Sequence, residues 1–171
     1  MSRIAFFSIP AHGHTNPTVE VVRTLVARGH RVRYYSFEEF RARLEGAGAE
    51  FVPCDSYLPP APRDVERRIG RDFASLIGMV VDVTAAMEER VLGELAAFRP
   101  HCIVADSLCI WGKLYAGQLG VPLVCSTTTF AFDQETAKGM RPRPGELLRT
   151  LAGVPRIGKK LPLLRAHGYR A

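Results

Sequence analysis

The sequence predicts an α/β fold built on a doubly wound parallel sheet, and three observations predict it. Short apolar runs that do not alternate with polar residues recur along the chain, as strands buried on both faces require. A segment with apolar residues at helical spacing follows most of these runs. Glycine or proline marks nearly every join. The 171 residues, 47% hydrophobic and 23% charged, suffice for one core and fall short of two sizeable domains. Residues 1–171 are accordingly read as a single domain.

Taken in order, RIAFFSI (residues 3–9) is the first buried strand, ended by Pro10 and Gly13. Asn16 before Pro17 reads as a helix cap with proline at the first helical position, and Val19, Val22, Leu25 and Val26 continue the helix as far as Gly29. HRVRYYSF is a second strand, EEFRARLEGAG a short helix closed by glycines, and AEFVPCD a third strand. Three prolines between residues 55 and 62 break the rhythm, and a helical insert occupies about 60–98, with Gly70, Gly78 and Gly93 as expected interruptions. HCIVAD is the fourth strand, Leu108 to Leu119 a helix closed by Gly120, and VPLVCST the fifth strand. Right-handed crossovers in the order 3-2-1-4-5 make strands one and four neighbours where the chain reverses direction. Such sheets bind ligands in that crevice, at their carboxyl edge.

Composition excludes several functional classes. The net charge is +6, but the basic residues are dispersed among acids and are not interleaved with aromatics, so a solvated basic surface is expected in place of a nucleic-acid site. Only the stretch from Arg141 to Arg170 is strongly basic, with Glu146 its one acid; it reads equally as a patch facing a partner and as a polar tail. Cys54, Cys102, Cys109 and Cys125 stand singly with no CxxC spacing, which suggests neither a zinc site nor a disulfide framework. Reduced thiols in a cytoplasmic protein follow. The N-terminal apolar run is broken by Pro10 and makes neither a secretory leader nor a membrane span.

The loop after strand one, PAHGHTNP, lacks the GxGxxG of a dinucleotide fold and the GK[ST] ending of a Walker loop. It offers one glycine and two imidazoles, which suits proton transfer better than a phosphate cradle. A histidine accepts protons near neutral pH, and a carboxylate bonded to its far nitrogen fixes the tautomer and stabilises the imidazolium. His14 with Asp106, which ends strand four, would form such a pair. Either histidine alone is better explained as a loop cap, and Asp106 is also explained as a cap of the next helix, a role compatible with the pair. A metal site would need at least a third ligand, and His30, His101 and His167 show no matching spacing. No metal is therefore expected.

The stretch IAFFSIPAHGHTNPTVEVVRTLVARGHRVRYYS closely resembles the opening of family 1 inverting glycosyltransferases of the two-domain GT-B fold, above all the bacterial macrolide type. GHTNP, the L..RGH.V turn, FRPHCIVAD and LGVPLV all fall in the family's order, and the likeness is strong over residues 3–60 and 97–130. The resemblance implies a Rossmann-like, acceptor-binding N-terminal half. His14 would be the general base on an acceptor hydroxyl, Asp106 its partner, and a nucleotide-activated sugar, UDP- or TDP-linked, the co-substrate, with inversion and without a metal or other cofactor. Gly13 would allow a tight turn beside the substrate, and the helix at Pro17 would lend its positive end. His12 receives no task.

In such a half the helical insert and the carboxyl-edge loops wall the acceptor pocket. The candidates here are Tyr57, Phe73, Met79, Trp111, Phe130, Phe132 and Met140, each of which core packing also explains. Trp111, Phe130 and Phe132 are the better placed, and an apolar natural-product alcohol would suit them. After Thr129 nothing resembles the family's donor-binding domain. The chain reads as truncated, proteolysed or naturally short, with its C-terminal donor domain missing or supplied by a partner chain. Three roles follow from these residues: the base-carrying part of a glycosyltransferase, a non-catalytic small-molecule binder, or an accessory subunit docking through its Arg-rich tail.

Overall fold

The computed structural model of the chain describes residues 1–57 and 73–128, with the isolated positions Gly145, Pro155, Gly158 and Pro162. The chain divides into two compact units, Met1–Pro59 with Ala86–Thr129, and Pro60–Ala85 with Phe130–Ala171. The described part of the second is mainly the first half of one helix.

The first unit holds a five-stranded parallel sheet. Strand β1 is Arg3–Phe7, followed by helix α1 (His12–Ala27), strand β2 (Arg31–Ser36), a short 3₁₀ turn at Glu38–Phe40 and helix α2 (Arg41–Gly46). Strand β3 (Glu50–Pro53) and a second 3₁₀ turn (Asp55–Tyr57) come next. Helix α3 (Phe73–Phe98), strand β4 (Cys102–Asp106), helix α4 (Ile110–Leu119) and strand β5 (Leu123–Ser126) complete the order. The strand order β3-β2-β1-β4-β5 matches the expectation, and every neighbouring pair is parallel.

The apolar strands are continuous because each face of the sheet is covered. On one face Ile4, Phe6, Val32 and Tyr34 meet Val22 of α1 and Phe40 and Leu44 around α2. The alternate residues face the other way: Phe7 stacks on Tyr35 at 4.6 Å and meets Tyr115 of α4 edge-on at 5.7 Å. Phe6 stacks on Tyr34 at 4.9 Å across the same strand pair. Aromatic cross-strand pairs of this kind fix register as well as burying area.

Two expectations about helices are corrected. α3 runs unbroken through Gly78 and Gly93, because a helix interior tolerates glycine at about 1 kcal/mol and a buried stripe of Val81, Met87, Val91, Leu95 and Phe98 holds this one in place. Residues 60–72 of the expected insert, Gly70 among them, lie outside the described residues. α4 begins at Ile110 and not at Leu108, and it closes as expected at Gly120, whose φ of 64° is the left-handed conformation that favours glycine.

Candidate active site at the carboxyl edge of the sheet

The loop after β1 becomes helix sooner than its sequence suggests. Ala11 is extended (φ −143°, ψ 133°), and its carbonyl accepts from the N–H groups of His14 and Thr15, both at 2.9 Å. α1 therefore starts at His12, with Pro17 inside it, and Asn16 is no cap: its Oδ1 accepts from Arg43 Nη1 at 2.5 Å. Proline in a helix interior removes one backbone bond. Here the turn around it is tied down by Thr18, whose hydroxyl donates to the Thr15 carbonyl at 2.7 Å and meets the Tyr34 hydroxyl at 2.8 Å. The tight-turn role expected for Gly13 is corrected as well. It lies in the first turn of α1 with no positive φ and with open space where a Cβ would sit.

This start separates the two histidines. Residues two apart on a helix point about 200° from one another. His12 is exposed, edge-on to the Phe40 ring at 5.1 Å and 3.9 Å from Glu39. His14 turns inward, with 13% of its side chain exposed, and its Nδ1 lies 3.0 Å from Oδ2 of Asp106.

Asp106 is the last residue of β4, in the crevice beside β1, and is fully buried. Its Oδ1 accepts from the Leu108 backbone N–H at 2.9 Å, and its Oδ2 accepts from the Thr128 hydroxyl at 2.8 Å. The same Thr128 oxygen lies 2.9 Å from His14 Nδ1. A buried carboxylate with these partners is satisfied, which keeps the cost of its burial in check. Nε2 of His14 makes no hydrogen bond among the described residues and is the nitrogen left for a substrate. The neighbouring Cys109 is fully buried, and burial pushes its thiol well above the ordinary range, so it is no nucleophile here.

Sequence reasoning paired His14 with Asp106, and the structure brings them together. It missed Thr128. The available signal was topological: Thr128 lies two residues beyond β5, at the same carboxyl edge as the residues after β1 and β4. The wall candidates fare variously. Trp111 is 2% exposed, in the first turn of α4, and belongs to the core. Tyr57 donates its hydroxyl to Glu94 at 2.8 Å and has Arg90 over its ring at 4.3 Å, so its polar end is already engaged with α3. Phe73 and Met79 belong to α3, with side chains outside the described set; Phe130, Phe132 and Met140 lie outside the described residues.

A groove of about 510 Å³ opens at the opposite, amino edge, lined by Arg3, Arg31, Arg33, Phe98 and Arg99. Its lining has no histidine or carboxylate, and the His14–Asp106 pair lies at the other end of the strands. Among the described residues no group of three or more His, Cys, Asp or Glu is placed to hold a metal ion. No helix of the described residues is long and apolar enough to cross a membrane.

No family model matches the chain. It is similar to demethyllactenocin mycarosyltransferase of Streptomyces fradiae, at 31% identity over 176 residues covering 98% of this chain and 38% of that protein. Oleandomycin glycosyltransferase of Streptomyces antibioticus is 30% identical, over 91% of this chain and 37% of that protein. Among solved structures, the glycotransferase of kitacinnamycin superposes with a TM-score of 0.74 at 26% identity, covering 98% of this chain and 41% of that one. The chain thus spans well under half the length of the relatives it matches.

Proposed function

Because the chain corresponds to the N-terminal half of a GT-B glycosyltransferase of the macrolide and natural-product group, we propose that it supplies the acceptor site and the general base of a sugar transfer. His14 Nε2 takes the proton of an acceptor hydroxyl, while Asp106 Oδ2 holds Nδ1–H and stabilises the imidazolium that forms. The freed oxygen attacks the anomeric carbon of a nucleotide sugar from the face opposite the diphosphate. The carbon–oxygen bond to the diphosphate breaks, its electron pair leaves with the phosphate, and the sugar is transferred with inversion.

The observation that carries this reading is the 3.0 Å contact between a nearly buried His14 and a fully buried Asp106 in the crevice between β1 and β4. The acceptor class is read from the relatives, a mycarosyltransferase and an oleandomycin glycosyltransferase. A largely apolar macrolide or similar alcohol fits that class. The donor, a UDP- or TDP-sugar, is held mainly by a C-terminal half, and the reaction needs no metal because that half holds the leaving diphosphate. The setting is cytoplasmic.

The test is transfer from a panel of UDP- and TDP-sugars to an aglycone macrolide, by this chain together with a separately expressed donor half. His14→Ala should lower kcat by about 100-fold or more and leave aglycone affinity within about twofold. Transfer that survives the substitution would remove His14 as the base. No transfer by any combination, with aglycone binding retained, would leave a binding module.

A further inference from the structure

We infer that Thr128 is a positioning residue for His14, holding its ring in the tautomer with the proton on Nδ1; this rests on the reading of His14 as the base. Thr128 Oγ1, His14 Nδ1 and Asp106 Oδ2 form a triangle with sides of 2.9, 3.0 and 2.8 Å. Each side is of hydrogen-bond length, so counting protons decides what the triangle can be.

With Nδ1 protonated, two protons serve three edges. The Thr128 hydroxyl donates to Asp106 Oδ2, and the Nδ1–H is shared between Oδ2 and the Thr128 oxygen, so every edge is attractive. With the proton on Nε2, only the hydroxyl proton remains. The bare lone pair of Nδ1 then faces a buried carboxylate oxygen at 3.0 Å, and the hydroxyl can donate to one of the two and not to both. Thr128 therefore adds an acceptor to the productive tautomer and offers no equal compensation to the other. Because the Leu108 N–H holds Oδ1, the carboxylate cannot rotate Oδ2 away without losing that bond. Thr128 sits beyond β5 and Asp106 ends β4, so the pairing of those strands, Asp106 opposite Ser126, sets the triangle. Thr128 acts through His14 at Nδ1, the nitrogen remote from the one that takes the substrate's proton.

A long-range ¹H–¹⁵N spectrum of the histidine side chains of this chain, recorded where the imidazoles are neutral, tests the inference without any sugar donor. His14 is assigned by the signals lost in His14→Gln. The wild type should show His14 as the Nδ1–H tautomer with a protected ring proton. Thr128→Val keeps the side-chain shape and should speed exchange of that proton at least about tenfold, whereas Thr128→Ser restores the hydroxyl and should stay within about threefold of wild type. A His14 proton that exchanges at the wild-type rate in Thr128→Val, or a wild-type His14 in the Nε2–H form, overturns the inference. If the valine variant does not give the wild-type backbone spectrum, Thr128→Ala is read in its place by the same criterion. The result is separable from the proposed function: transfer surviving His14→Ala would remove the base while leaving the tautomer measurement standing.

Discussion

At Asp106 one carboxylate does two things. Oδ1 closes the turn into α4 through the Leu108 N–H, and Oδ2 faces His14 and Thr128. The cap role read from the sequence is corrected: the N-cap of α4 is Cys109 with no side-chain cap bond, and Oδ1 of Asp106 instead closes the turn before the helix. Asp106→Asn keeps the shape but can present an amide N–H₂ to Nδ1, which favours the tautomer with its proton on Nε2 and blocks the base nitrogen. Steady-state kinetics of the complete enzyme should show kcat down by about 100- to 10,000-fold with acceptor KM within about threefold; a loss under tenfold would end the pairing of the two residues. His14 and Asp106 were legible because their residue types are chemically distinctive and lie in or next to the segments that leave the carboxyl ends of β1 and β4. Thr128 was not, because a threonine among threonines carries no chemical signature until its neighbours in space are known.

At the scale of elements, the site depends on how closely α4 approaches the sheet. Gly112 faces β1 and β4 so tightly that a Cβ there would lie 2.8 Å from the Ala105 Cβ and 3.0 Å from the Phe7 Cβ, atoms fixed to the strands and unable to swing aside. Gly112→Ala should push α4 outward and cost about 1–3 kcal/mol, measured as a lower urea midpoint with the slope unchanged. Because Asp106 and Leu108 join β4 to this helix, the displacement should also disturb the His14 ring signals; an alanine variant of wild-type stability would show that the contact yields. The run from Leu108 to Leu119 announced a helix but not this contact, since the residues that make it tight lie on two strands remote in sequence. The start of α1 was misread for a related reason. Local preference puts proline at a first helical position, whereas the helix starts five residues earlier, at His12, where the Ala11 carbonyl accepts its first bonds.

Among the described residues, three tyrosines are at most 1% exposed: Tyr34, Tyr35 and Tyr115. Burial pushes Tyr34 up to about 12 and raises the other two further. An unfolded tyrosine loses its proton near pH 10, so between there and about 12 the folded state holds protons that the unfolded state has released. Stability is therefore fully present below about pH 10 and falls as pH rises through that window, by roughly 2–3 kcal/mol from Tyr34 alone. Urea unfolding at a series of pH values should show the decline, with tyrosinate absorbance from these residues appearing together with unfolding. Tyrosinate absorbance that rises fully near pH 10 while the chain remains folded would contradict the burial.

The sequence by itself determined the sheet, its strand order and the carboxyl edge at which residues 12–14 and Asp106 converge, because hydrophobic period, turn residues and the right-handed crossover act locally and leave few topologies. Only the tertiary structure decided which histidine points inward, that Thr128 joins the pair, that Trp111 is core, and that α3 passes through its glycines. Those outcomes depend on atoms brought within about 3–4 Å by packing, between residues as far apart in sequence as 14 and 128, and no local preference encodes such distances.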